Sequence, residues 1–198
     1  MVLPNQLTIL RIILTPIFLF LFLSENQLLR QLSMAVFLAA ALTDWYDGWL
    51  ARKFNYITSW GKFWDPLADK ILTSTAFLGF AFVGLTEFWM VIIIIFRDLL
   101  ITLLRVYSEY RGFSFRTSYY AKLKTVLQMI FLYYLLILYV MSKNYWIIAN
   151  YNYQLSILLD RNFIYLSTLI ITAITFFTGV QYLSENKNLI KKLFHIEN

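Results

Sequence analysis

The sequence predicts an all-α integral membrane protein. It is expected to be a single domain over residues 1–198 with six transmembrane helices, both termini cytoplasmic and a polar site in the cytoplasmic half. Three observations carry that expectation. Of the 198 residues, 60% are hydrophobic and only 14% are charged, a balance too apolar for a water-soluble domain. Six predominantly apolar runs approach the roughly 20 residues that cross a bilayer. The basic residues gather in alternate connections between those runs.

The elements follow in order. Pro4 and Asn5 in "LPNQLT" predict a short interfacial lead-in, with Asn5 placed to cap the helix behind it. The spans are expected at 7–23, 31–50, 62–83, 87–107, 119–141 and 162–183. Trp60, Trp64, Trp89, Tyr107, Tyr119 and Trp146 fall near their ends, as interfacial anchors do. Connection 51–62 carries Arg52, Lys53 and Lys62, and region 105–124 carries Arg105, Arg111, Arg116, Lys122 and Lys124. The tail adds Lys187, Lys191 and Lys192. The other connections hold only Glu25 and Arg30, then Glu87, then Lys143, Asp160 and Arg161. The basic set is therefore expected on the cytoplasmic side. A cleavable signal peptide is not expected, because the first run lacks a basic lead and a small-residue cleavage pattern.

Composition also removes some chemistry. There is no cysteine, so disulfides and thiolate metal sites are excluded. The one histidine, His195, is read as a solvated tail residue rather than a catalytic group. The net charge of +6 fits loops facing anionic lipid, and no nucleic-acid partner is expected.

Ionisable residues within spans are costly and point to function. Residues three, four, seven or eight apart share a helix face. On the second helix that face holds Asp44, Asp47, Gly48 and Ala51; on the third, Gly61, Asp65, Ala68 and Asp69. Four crowded carboxylates repel one another without counter-charge. Divalent cations compensate, and oxygen-only ligands suit Mg2+ or Mn2+. The small residues let a phosphate-bearing substrate approach, as a two-metal displacement requires. A solvated face with salt bridges is the ordinary alternative for one acid pair, and cation transport is the rival for all four. A transporter would spread its ligands across the membrane, whereas these crowd one half.

Arg97 lies about 15 Å inside the fourth span, and Arg105 follows on its face. Lys122, Lys124 and Gln128 open the fifth. This cationic cluster would bind a second anionic group, although snorkelling to headgroups also accounts for the lysines. Pairing with a buried acid is the alternative for Arg97; Asp98 is not expected to be its simple partner because helix neighbours point apart, and whether it orients an arginine or does nothing is left open. Thr168, Thr172, Thr175 and Gln181 form a stripe on the last span with no chemistry assigned, since threonines bond back to their own helix or join helices. The aromatic fifth span is read as packing or lipid-facing surface.

Asp44, Asp47, Gly48, Ala51, Arg52, Gly61, Asp65 and Asp69 fit the pattern D-x2-D-G-x2-A-R-x8-G-x3-D-x3-D. The chain thus resembles the CDP-alcohol phosphotransferase family. "PNQLTILRIILTP", "GKFWDPLADK", "FRDLLITLLR" and "AKLKTVLQ" resemble its bacterial members that use glycerol 3-phosphate, in which Arg97–Asp98 commonly reads Arg–Glu. The cardiolipin-forming members share the signature and are the alternative, together with members that use inositol phosphate or another alcohol as acceptor. The resemblance implies transfer of the phosphatidyl group of CDP-diacylglycerol to sn-glycerol 3-phosphate, giving phosphatidylglycerol phosphate and CMP. It implies that Asp44, Asp47 and Asp65 hold two divalent cations against the CDP diphosphate, with Asp69 at the same site as general base. Gly48 and Ala51 would admit the cytidine, and Arg52, Thr58 and Gly61 would complete its pocket. Arg97, Arg105, Lys122 and Lys124 would then hold the acceptor phosphate. A homodimer in a bacterial cytoplasmic membrane is implied as well.

Overall fold

The computed structural model describes the backbone of residues 3–54, 59–113, 115 and 118–193. It describes the side chains of these apart from residues 3–5, 44, 45, 47–52, 54, 59, 60 and 62. Among the described residues the regular structure is entirely helical: α1 Leu3–Leu23, α2 Gln27–Phe54, α3 Ser59–Phe82, α4 Phe88–Tyr110, α5 Tyr119–Met141, α6 Tyr145–Leu158, α7 Arg161–Glu185 and α8 Lys187–Leu193.

Helices α1–α5 and α7 lie over the six apolar runs. Among the described residues, α1, α5 and α7 are long and apolar enough to cross a membrane, and α2 contributes a shorter apolar stretch, Gln27–Thr43. Helices α3 and α4 have the length, 24 and 23 residues, but α3 carries Asp65, Asp69 and Lys70 and α4 carries Arg97, Asp98 and Arg105. The charges that interrupt these two apolar runs are the charges of the site described below. Outward faces are apolar, with Phe20, Phe96, Ile130 and Phe177 all more than half exposed. A surface of that kind is a liability in water and ordinary in lipid.

Two boundaries differ from expectation. Helix α1 begins at Leu3, so Asn5 lies inside it rather than capping it. Pro4 is tolerated there because first-turn N–H groups have no intrahelical acceptor to lose. The connection after α5 holds helix α6, which Asn144 caps by accepting from the backbone N–H groups of Trp146 and Ile147. Only Leu155 of α6 is buried, and its backbone kinks at Tyr151.

Helices α3 and α4 end alike. Gly84 and Gly112 take left-handed φ values of 76° and 80°. The N–H groups of Leu85 and Phe113 then reach back to the carbonyls of Phe80 and Ser108, at 2.9 and 2.8 Å. These are Schellman caps, which the absence of a Cβ permits.

The long helices close a ring in the order α1, α2, α5, α7, α4, α3, with α1 packed extensively on both α2 and α3. One end of the ring is filled by an aromatic core. Phe18 packs at a tilt against Phe22 and Phe37 at 5.5 and 5.1 Å between ring centres, and Phe22 meets Phe80 and Tyr139 at 5.6 and 4.8 Å. Leu132, Leu135 and Leu136 complete it. The buried polar groups Thr8, Arg11, Asp98 and Lys124 lie on the other halves of α1, α4 and α5. The Thr168–Thr175 stripe is buried, and Thr168 and Thr172 donate to carbonyls four residues back at 2.7 and 2.8 Å, as a structural stripe should.

Candidate active site

Helix α3 carries the described half of the acid set. Gly61 and Ala68 are buried, and Asp65 and Asp69 beside them are half-buried, one turn apart on one face. Asp65 Oδ1 accepts a short hydrogen bond, 2.5 Å, from the hydroxyl of Thr8 on α1. Arg11, one turn beyond Thr8 and fully buried, lies close enough to act electrostatically on the Asp65 carboxylate. Asp69 Oδ2 stands 3.8 Å from the ammonium of Lys70. Asp44, Asp47, Gly48, Ala51 and Arg52 are on α2, but their side chains lie outside the described residues, as does all of Thr58. A face of half-buried carboxylates flanked by small buried residues fits a hard divalent cation with oxygen ligands. The Thr8 hydroxyl that fixes one carboxylate is the kind of outer partner such a site needs.

A cavity of about 380 Å³ opens between α3, α4, α5 and α7. Among the described residues, four cationic side chains line it, Lys70, Arg97, Arg105 and Lys122, against a single carboxylate, Asp98. Thr102, Thr125 and Tyr182 supply further polar wall. The volume falls in the usual range of small-molecule sites, about 300–1,000 Å³. Helical spacing places Arg97, Ile101 and Arg105 along one stripe of α4, with Asp98 and Thr102 beside it.

Asp98 is the hub beneath the cavity. It is 4% exposed and accepts from three side chains. The Lys124 ammonium and Arg97 Nη1, the latter at 3.2 Å, both reach Oδ1. Gln128 Nε2 reaches Oδ2 at 3.0 Å. The expectation that Asp98 is not the simple partner of Arg97 is therefore corrected. The two Cβ atoms do diverge, but the arginine stem is long enough to bring its guanidinium back around the helix. Arg97 Nη2 also donates to Thr178 on α7, at 3.2 Å. Among the described residues, Arg97 Nε and Arg105 Nε are buried without a partner.

Of the four cations singled out in the sequence, Arg97, Arg105 and Lys122 line the cavity together. Lys124 does not; it is 2% exposed and held by Asp98 rather than snorkelling outward. Four further residues that the structure brings to these sites are not marked by the sequence patterns used above: Thr8, Arg11, Lys70 and Tyr182. Arg11 is a charge inside an apolar run, and Thr8 precedes it by one turn, so the rule that found Arg97 could have found both. Lys70 was overshadowed by its neighbour Asp69. Nothing in the local pattern marks Tyr182.

A model of the CDP-alcohol phosphatidyltransferase family matches residues 1–178. The CDP-diacylglycerol–glycerol-3-phosphate 3-phosphatidyltransferase of Rickettsia typhi is 39% identical over 127 residues, covering 64% of this chain and 71% of that protein. The enzyme of the same name from Bacillus subtilis is 39% identical over 140 residues, 65% of this chain and 72% of its own. A probable phosphatidylglycerophosphate synthase of Mycobacterium tuberculosis is 36% identical over 129 residues, 64% and 61%.

Proposed function

The chain belongs to the CDP-alcohol phosphatidyltransferase family, and from that premise we infer that it transfers the phosphatidyl group of CDP-diacylglycerol to glycerol 3-phosphate. The products are phosphatidylglycerol phosphate and CMP. The primary hydroxyl oxygen of the acceptor bonds to the phosphatidyl phosphorus, and the phosphoanhydride bond to CMP breaks. Asp69 takes the proton that the hydroxyl loses.

Asp44, Asp47, Asp65 and Asp69 would hold two divalent cations, Mg2+ or Mn2+, which when bound neutralise the charge developing on the diphosphate and the leaving CMP. Thr8 keeps Asp65 oriented for that task. Gly48, Ala51, Arg52, Thr58 and Gly61 receive the nucleotide, with the small residues permitting close approach. The acyl chains of the donor stay in lipid, which is why the reaction belongs inside a bundle of apolar helices.

The observation that carries the acceptor assignment is the cavity. Four cations around a single carboxylate suit a small dianionic phosphate, and arginines can grip it bidentately. Arg97, Arg105 and Lys122 bind it, Lys70 joins them, and Lys124 acts from behind through Asp98. The alternation of basic and charge-poor connections supports six spans, cytoplasmic termini and a multi-pass position in a bacterial-type cytoplasmic membrane. The family resemblance supports a homodimer, which native mass spectrometry in detergent tests.

The deciding assay incubates purified protein with CDP-diacylglycerol, a divalent metal and one acceptor at a time: glycerol 3-phosphate, phosphatidylglycerol or inositol phosphate. Phosphatidylglycerol phosphate from the first alone is expected. Cardiolipin formed from phosphatidylglycerol would overturn the acceptor assignment.

A further inference from the structure

We propose that Gly179, with Thr178 beside it on α7, is the positioning element that aims Arg97 into the acceptor cavity. The proposal rests on the reading of that cavity as the glycerol 3-phosphate site. Gly179 lies one residue beyond the segment matched by the family model, so packing alone carries the assignment.

A Cβ at Gly179 would stand 2.9 Å from Arg97 Cγ and 3.4 Å from its Nε. Side-chain atoms of Arg97, rather than the backbone of α4, are the nearest to that missing Cβ. A small residue at a helix contact ordinarily lets two backbones approach. Here it makes room for an arginine stem instead. Cγ is only two bonds from Cα and is placed by χ1 alone, which has three staggered wells, so moving it redirects the guanidinium.

The far end of Arg97 is held from both sides. Nη1 donates to Asp98 and Nη2 to Thr178 Oγ1, each at 3.2 Å. The Thr178 hydroxyl donates to the Ile174 carbonyl at 2.7 Å, which leaves its oxygen to accept from Arg97. Arg97 also borders an apolar groove of about 250 Å³ on the outer side of the α4–α7 contact, lined by Phe96, Leu100, Phe176 and Gly179. The side chain therefore stands in the wall between a polar cavity and a lipid-facing groove. Gly179 and Thr178 decide which of the two receives the charge.

The test is steady-state kinetics of the full chain in mixed micelles, with both substrates varied. Gly179→Ala is expected to raise the acceptor KM by about tenfold or more, since a displacement of the order of an ångström misaligns a binding group, while the donor KM stays within about twofold. The Gly179→Ala/Arg97→Ala pair is expected to be no worse than Arg97→Ala alone, because the glycine acts through the arginine. Thr178→Val keeps the side-chain volume, removes the acceptor and carries the same cycle if Gly179→Ala does not fold. An unchanged acceptor KM, or losses that add in full with those of Arg97→Ala, would overturn the proposal and leave the acceptor reading intact. Wild-type protein that makes no product from glycerol 3-phosphate would instead overturn that reading.

Discussion

Replacing Asp98 with leucine strands a buried cation. Lys124 is 2% exposed and its described acid partner is Asp98, itself 4% exposed. Removing one member of a buried pair costs about 3–5 kcal/mol, whereas replacing both by apolar residues of similar volume is close to neutral. At about 2–4 °C per kcal/mol for a chain of this size, Asp98→Leu should lower the melting temperature by roughly 6–20 °C. Gln128 Nε2, which also loses its acceptor, pushes in the same direction. The double variant Asp98→Leu/Lys124→Met should regain most of that stability. It should not regain acceptor affinity, because Arg97 then keeps only its Thr178 contact. Thermal unfolding in detergent, followed by tryptophan fluorescence, reads the first effect, and acceptor KM reads the second. A single variant that melts within about 3 °C of wild type, or a double variant no more stable than the single, would refute the reasoning.

Asp69→Asn should reduce kcat by about 10²–10⁴ while metal-dependent binding of CDP-diacylglycerol survives, measured by equilibrium binding; loss of both together would count against the role as base. Thr8→Val removes the donor to Asp65 with little change in volume, and the divalent-metal concentration for half-maximal CMP release should rise by about 10–100-fold. Thr8→Ser should restore it, and an unchanged metal response would take Thr8 out of the site. Lys70→Gln should raise the acceptor KM several-fold more than the donor KM; equal changes in both would deny Lys70 a place in the acceptor pocket. Chelation should abolish CMP release and added Mg2+ or Mn2+ should restore it, whereas turnover that survives chelation would remove cations from the reaction.

Helical periodicity made the described half of the acid site legible, because Asp65 and Asp69 sit one turn apart on a single helix. Depth within an apolar run was enough to single out Arg97, and the eight-residue interval placed Arg105 on its face. What stayed hidden are the relations between helices. The Thr8–Asp65 bond joins residues 57 apart in sequence and the Arg97–Thr178 bond joins residues 81 apart. Neither is written in a local pattern. The direct Arg97–Asp98 pair departs from expectation for a different reason. The rule that adjacent helical residues diverge describes Cβ directions, whereas a guanidinium lies far enough from its Cβ to return to a neighbour. Helix α6 was hidden because it buries only Leu155 and so shows no apolar face.

In the proposed reaction, the placement of Lys70 lets the two substrates meet at α3. Asp69 and Lys70 are consecutive on α3, so their side chains leave the helix about 100° apart. One belongs to the carboxylate face shared with Asp65. The other lines the cationic cavity formed mainly by α4 and α5. On the proposed function, helix α3 is the seam between a donor half bounded by α1 and α2 and an acceptor half bounded by α4, α5 and α7. A phosphoryl group passing from one half to the other must cross at that helix, where an in-line displacement needs its attacking hydroxyl. Asp69, next to Lys70, is at the seam, and Asp65 lies one turn nearer the start of α3. That difference in position, together with the Thr8 bond that holds Asp65, supports the proposed division in which Asp69 is the base and Asp65 the anchor.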